Sequence, residues 1–187
     1  MPDSEGKQIH APFDDTTARN LRAGDSVRIS GTLLAARDAA HQRLVACLDS
    51  QEALPVDLRG QVIYYVGPSP AKPDRPIGSA GPTTSGRMDA YTPRLLAEGV
   101  KGMIGKGYRQ PAVVEAMKQY GVAYLAAVGG AGALIARCIK KYEILAWPEL
   151  GPEALAVMTV EDFPAIVVID CLGNNQYEAG QAPYKKL

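Results

Sequence analysis

The segment Gly81-Pro82-Thr83-Thr84-Ser85-Gly86-Arg87-Met88-Asp89 gathers small residues, hydroxyls and a fork-shaped cation into one turn. Glycine lets backbone approach a ligand closely, and proline stiffens the entry. Thr83, Thr84 and Ser85 offer hydroxyls. A helix beginning here would present free N–H groups with a partial positive charge. An arginine in its first turn can add two parallel bonds to a carboxylate. Carboxylate binding is the chemistry this composition suits. The same nonamer is also compatible with an ordinary loop carrying a Thr or Ser N-cap and a surface arginine.

Two other glycine-rich runs fall short of nucleotide motifs. In Gly99-Val100-Lys101-Gly102-Met103-Ile104-Gly105-Lys106-Gly107, Val100 stands at the first glycine of a phosphate loop and Gly107 replaces the Ser or Thr that would hold magnesium. In Gly130-Ala131-Gly132, Ile135 occupies the place of the third dinucleotide-binding glycine. Close packing of a helix on a strand explains the second run better. Lys106 follows a strand, where ligands of α/β sheets gather; a solvated lysine is the alternative.

The elements that would position these residues follow from periodicity. Val27, Ile29 and Leu33 lie on one face of a strand over 26–34, with Gly31 marking a bulge. Ala40, Leu44, Val45 and Leu48 repeat at helical spacing over 38–48, with Asp38 as N-cap, so Arg37 sits at a strand-to-helix junction. A buried strand is expected over 61–66, and the Pro- and Gly-rich stretch 67–77 is a stiff loop. Alternation then predicts a helix from the Thr83–Arg87 turn to about residue 98, a strand over 100–104 and a helix over 110–120 stopped by Gly121. Beyond it come a strand over 122–128, a short helix opened by 129–133 and a strand over 142–147. Residues 154–160 fit either type, and 163–170 read as a strand with Pro164 near its start. The order predicts an α/β fold, a central sheet with packed helices. A tail over 1–20, a domain over 21–178 and a second tail over 179–187 complete the expected organisation.

Composition narrows the function classes. A chain of 187 residues can bury a core without disulfides or metal staples. Its 20 basic residues balance 20 acidic ones, so no global field recruits nucleic acid or an anionic membrane, and any anion site is local. Cys47, Cys138 and Cys171 are far apart and contain no C-x-x-C pair, which suits a reducing compartment and buried structural thiols. Residues 1–20 carry no apolar signal core, and no segment reaches the length of a membrane span. The expectation is a cytoplasmic protein with no metal ligands of its own.

Several ordered motifs together resemble a known family. Arg37-Asp38-Ala39-Ala40-His41, the Gly81–Asp89 turn, Gly105-Lys106-Gly107 and Val160-Glu161-Asp162-Phe163-Pro164 are similar to the C-terminal domain, or separate beta subunit, of class I iron–sulfur fumarate hydratases. The related L(+)-tartrate dehydratase beta subunit shares Gly-Pro-Thr-Thr and Gly-Lys-Gly. The resemblance implies a swivelling β/β/α domain that closes over a fumarase alpha subunit. That subunit would carry a four-iron four-sulfur cluster, and this chain none. It also implies reversible hydration of fumarate to (S)-malate, with a small dicarboxylate as substrate and a homodimer or hetero-oligomer as the assembly. Arg37, Thr83, Arg87 and Lys106 are then implied substrate-carboxylate contacts, and Thr84 the base that moves the proton. Asp38 and His41 would orient Arg37, although a helix cap and a solvated histidine suit them as well. A non-catalytic dicarboxylate-binding or interaction module is the reading from a different class.

Overall fold

The computed structural model describes residues 6–184; the outermost residues of both expected tails, 1–5 and 185–187, lie outside it. Parallel strands β2 (Ser26–Ala35), β3 (Val62–Tyr64), β4 (Gly102–Gly105) and β5 (Ala123–Ala126) are hydrogen-bonded in sequence order. Each parallel connection needs a crossover. Helices α2 (Asp38–Asp49), α3 (Thr92–Ala97) and α4 (Pro111–Tyr120) supply the three crossovers. The long strand β7 (Leu155–Ile169) runs antiparallel to both β5 and β2 and closes these five strands into a ring.

Alternation along the strands sorts the core into two layers. Val27, Ile29, Leu33, Tyr64, Leu125, Met158 and Phe163 belong to one buried cluster. Leu34, Ile63, Tyr65, Met103 and Tyr124 face the other way and pack with Leu44, Leu95, Leu96, Val113 and Met117 of the three crossover helices. Two further strands lie outside the ring: β1 (Lys7–Ala11), parallel to β2, and β6 (Ile139–Ala146), antiparallel to β7. The fold is therefore mixed α/β with a central sheet and packed helices, as the alternation predicts.

Residues 7–20, expected as part of a tail, instead contribute β1 and helix α1 (Asp15–Asn20), whose first turn is capped by Asp14 through Thr17 N at 2.6 Å. Residues 155–169 form one strand rather than the two elements expected over 154–160 and 163–170. Pro164 lies inside it, opposite Arg28 and just past the register shift between Ile29 and Gly31. Ser30 Oγ accepts a bond from Asp162 N, and Asp162 adopts a positive φ of 50°. Val167 N donates to the Asp25 carbonyl, so alternation turns the Pro164 nitrogen away from β2, to a flank where no strand pairs between Val160 and Ile166. The expected tail over 179–187 also begins in ordered structure, as the end of a last helix (Gln176–Gln181), capped by Asn175 through Tyr177 N, and a 3-10 turn over Ala182–Tyr184. Gly121 ends α4 in the left-handed conformation, φ 67°, the stop read from the sequence. Among the described residues no helix is long and apolar enough to cross a membrane.

Candidate functional site

The parallel strands β2, β3 and β4 all deliver their carboxyl ends to one side of the ring, where ligands of open α/β sheets bind. Arg37 follows β2 and precedes α2 in an extended conformation, φ −123° and ψ −161°. One terminal nitrogen, Nη2, lies 3.2 Å from Glu153 Oε1, and Nε lies 3.8 Å from Asp38 Oδ2. Gly67, just beyond β3, makes room for this guanidinium, because a Cβ there would come within 2.5 Å of Arg37 Nη1. Asp38 is not the cap expected from the sequence. It is the first residue of α2, and Glu153 Oε2 accepts the bond from Ala39 N at 3.0 Å. Asp38 Oδ1 instead accepts a 2.8 Å bond from Arg87 Nε. One carboxylate thus sits between two arginines whose side chains are 20 % and 51 % exposed.

His41 is neither solvated nor in contact with the Arg37 guanidinium. It is buried at 1 % exposure, edge-on to Tyr65, with Nδ1 2.8 Å from the Arg37 carbonyl. A carbonyl only accepts, so Nδ1 carries the proton and Nε2 is the unprotonated nitrogen. Burial pushes the His41 pKa down to about 4. The ring is therefore neutral at pH 7 and fixes the backbone of Arg37 at the start of α2.

The Gly81–Asp89 turn begins as strand-like backbone rather than as a helix. Pro82 bridges Val66, Thr83 N donates to the Tyr65 carbonyl at 2.7 Å, and Thr84 bridges Lys106 in parallel. A 3-10 turn, Ser85–Met88, follows, and α3 starts only at Thr92, with Pro93 in its first turn. Thr84, Arg87 and Lys106 are exposed and Thr83 is half-buried. Among the described residues Arg87 is bonded through Nε alone.

Ser85 points the opposite way from Thr84 and is fully buried. Its Oγ accepts from Lys106 N at 3.1 Å and lies 2.9 Å from the Tyr124 hydroxyl, which donates to the Gly107 carbonyl at 2.9 Å. Tyr124 has a single proton to give, so Ser85 donates to Tyr124, and the relay runs from the Lys106 amide through Ser85 and Tyr124 to Gly107. Any side chain at Gly105 would overlap Ser85 Oγ. Behind this relay lies a buried ion pair. Arg109 Nε donates to Asp89 Oδ1 at 2.7 Å, with the two side chains 0 % and 1 % exposed.

Arg37, Asp38 and Arg87 therefore form one charged chain, and Thr84 and Lys106 meet through a backbone bridge one turn away. Glu153, Asp89 and Arg109 were given no role from the sequence, because an isolated charge in a loop looks like surface decoration; Ser85 was read only as one hydroxyl of three, and Tyr124 only as part of a strand. One signal was available for Asp89: it closes the glycine-rich nonamer. Gly132 is closely packed, but against the 79–81 loop rather than a strand, since a Cβ there would crowd Ser79 Oγ and Gly81 N at 2.5 and 2.8 Å. Cys47, Cys138 and Cys171 are free thiols on separate elements; Cys138 Sγ faces the Asp162 carbonyl and Cys171 Sγ the Arg19 carbonyl. They converge on no common point, so these residues do not fit an iron–sulfur cluster.

Cations and hydroxyls thus gather near the carboxyl ends of parallel strands in an α/β domain. The chain belongs to the fumarase C-terminus family, whose model matches residues 4–180. It is 42% identical over 156 residues to fumarate hydratase 2 of Leishmania major, covering 82% of this chain and 28% of that protein. It is 38% identical over 174 residues to the aerobic class I fumarate hydratase of Escherichia coli K12, covering 91% of this chain and 32% of that one. Against a candidate L(+)-tartrate dehydratase subunit beta of Methanocaldococcus jannaschii it is 38% identical over 176 residues, covering 90% of both chains. By their names these relatives are hydro-lyases. The chain spans about a third of the length of the two fumarate hydratases.

Proposed function

We propose that this chain is the carboxylate-holding half of a hydro-lyase that interconverts fumarate and (S)-malate. It would act as a beta subunit that swivels against a cluster-bearing alpha subunit in the cytoplasm. The observation that supports the reading is the Arg37–Asp38–Arg87 chain together with the Thr84–Lys106 backbone bridge beyond the carboxyl ends of β2 and β4. A dicarboxylate needs more than one cation, and a bidentate guanidinium suits each carboxylate. Arg87, tethered to Asp38 through Nε, keeps its terminal nitrogens for substrate.

In the dehydration direction, Thr84 takes the proton from the carbon beside one carboxylate. The electron pair moves into that carboxylate as an aci-carboxylate, which Arg37, Arg87 and Lys106 stabilise. Loss of hydroxide from the neighbouring carbon then gives fumarate, and hydration is the reverse, with Thr84 returning the proton. A threonine hydroxyl is a weak base unless its alkoxide is stabilised. Lys106, bridged to Thr84 through the backbone, is the cation we assign to that role. Activation of the departing hydroxyl is assigned to the partner's cluster, since no residue of this chain supplies it. L(+)-tartrate is the second substrate reading, favoured by the end-to-end match to the tartrate dehydratase subunit.

The test mixes the purified chain with a candidate alpha subunit under anaerobic iron and sulfide, and compares fumarate, tartrate and mesaconate. Turnover in the mixture and none from either chain alone is the expected result, with a loss on Thr84→Val that exceeds the loss on Thr83→Val. Tight malate binding by the isolated chain, unaffected by any partner, would make it a binding module instead.

A further inference from the structure

We infer that the buried Arg109–Asp89 pair is the positioning device that fixes the Thr84–Lys106 bridge; the inference rests on the hydro-lyase reading of that bridge. The bonds of the pair reach the turn beyond Thr84 and the loop beyond Lys106, and Arg109 also touches Tyr65 and Met103 Sδ behind them. Arg109 Nε and Nη2 donate to Asp89 Oδ1 at 2.7 Å and Thr92 Oγ1 at 2.8 Å, and Nη1 donates to the Tyr65 hydroxyl at 3.3 Å. Asp89 Oδ2 accepts Gln110 N at 2.7 Å. Asp89 ends the 3-10 turn that follows Thr84, whereas Arg109 and Gln110 end the loop that follows Lys106. The pair therefore ties the two segments together from behind.

Its second route to the site is aromatic. The Arg109 guanidinium carbon lies 5.4 Å from the Tyr65 ring centroid and 5.1 Å from that of Tyr124. Tyr124 continues to Ser85 and so to the Lys106 amide, while the Tyr65 carbonyl holds Thr83 N. A buried pair gives little stability over apolar side chains of similar volume, because desolvation offsets the attraction. What such a pair supplies here is direction, a planar fork that admits one mutual orientation of two loops.

Asp89→Leu/Arg109→Met, which removes both charges at similar volume, separates positioning from stability. The double variant is expected to fold, with hydrogen exchange at the Ser85 and Lys106 amides at least about tenfold faster and the Met158 amide within about threefold of wild type. In the reconstituted enzyme kcat should fall at least about tenfold while KM stays within about threefold. Unchanged exchange at Ser85 and Lys106 overturns the inference, as does faster exchange with kcat within about threefold of wild type. Should the double variant not fold, Arg109→Lys, which keeps the charge and loses the fork, is read by the same two measurements and limits. If wild type shows no hydro-lyase activity with any partner, the reading of function fails. The exchange rates then decide whether the pair fixes the bridge: faster at both amides supports it, unchanged overturns it.

Discussion

Two charged assemblies lie a few residues apart and are built on opposite rules. Arg109 and Asp89 are shut away from solvent, and each polar group of the pair has a partner. Arg37, Asp38 and Arg87 are partly open, and Arg37 Nε and Asp38 Oδ2 are buried atoms without a hydrogen-bond partner. Burying charge without full pairing is costly. A closed, satisfied pair can serve only as scaffold. The open chain, in which Arg87 is bonded through Nε and half exposed, is the one we propose for the carboxylate.

The sharpest way to break this contrast is to unbalance the closed pair. Asp89→Ala leaves the Arg109 cation buried without its counter-charge and is expected to cost about 3 to 5 kcal/mol of folding stability in urea titration. A loss under about 1 kcal/mol would place the pair among ordinary surface bridges.

The open chain should answer in activity rather than stability. Arg87→Lys keeps the charge but loses the fork, and the assembled enzyme is expected to lose about 2 to 4 kcal/mol of transition-state stabilisation, read as kcat/KM. Its melting temperature should hardly move. Catalytic efficiency within about threefold of wild type would remove Arg87 from the site.

His41 sits between the two assemblies and sharpens the comparison by titration. It faces Tyr65 and Tyr91, with Arg109 holding its pKa down and Asp38 opposing. Burial, the chief cause, takes the folded pKa to about 4 from 6.5. Below pH 6.5 the unfolded chain therefore binds a proton that the folded chain refuses. The stability His41 contributes is complete above pH 6.5 and drains away as the pH falls toward 4, by about 3 kcal/mol in all. His41→Leu should flatten that part of the stability profile, and an unaltered slope would show that other groups govern it.

The smallest effect should come from a pair of neither kind. Arg43 and Glu149 meet at 3.4 Å with side chains 49 % and 58 % exposed. Arg43→Ala is expected to change stability by about 0 to 1 kcal/mol. Chemical denaturation checks this, and a larger loss would mean that exposure alone does not separate the assemblies.

Much of the scaffold was legible because local pattern and tertiary fate agree. The period-2 run at 26–34, the helical spacing at 38–48 and the Gly121 stop all correspond to elements within a residue or two. Strand β1 escaped because Lys7, Gln8 and His10 are polar and only Ala11 is buried, so its place depends on pairing with β2. The single strand β7 escaped because a proline in mid-strand is acceptable only where its nitrogen faces an unpaired flank, which pairing alone reveals. At the site, Arg37, Thr84, Arg87 and Lys106 were read from their motifs. Arg109 was not, since burial distinguishes it from any other loop arginine and a sequence does not display burial.

Closure of the five strands has a mechanical consequence. Strands β2, β3, β4 and β5 are each bonded on both sides, so none can slide without breaking ladders on two flanks. The groups at their carboxyl ends are thus mounted on one wheel. Any motion of this domain carries Arg37, Thr84 and Lys106 along a common arc, with their mutual spacing preserved and only their reach toward an opposing surface altered. In the swivelling motion we propose, changes in the chain segments on which the wheel turns would tune how often the site closes, and changes within the wheel how well it grips once closed.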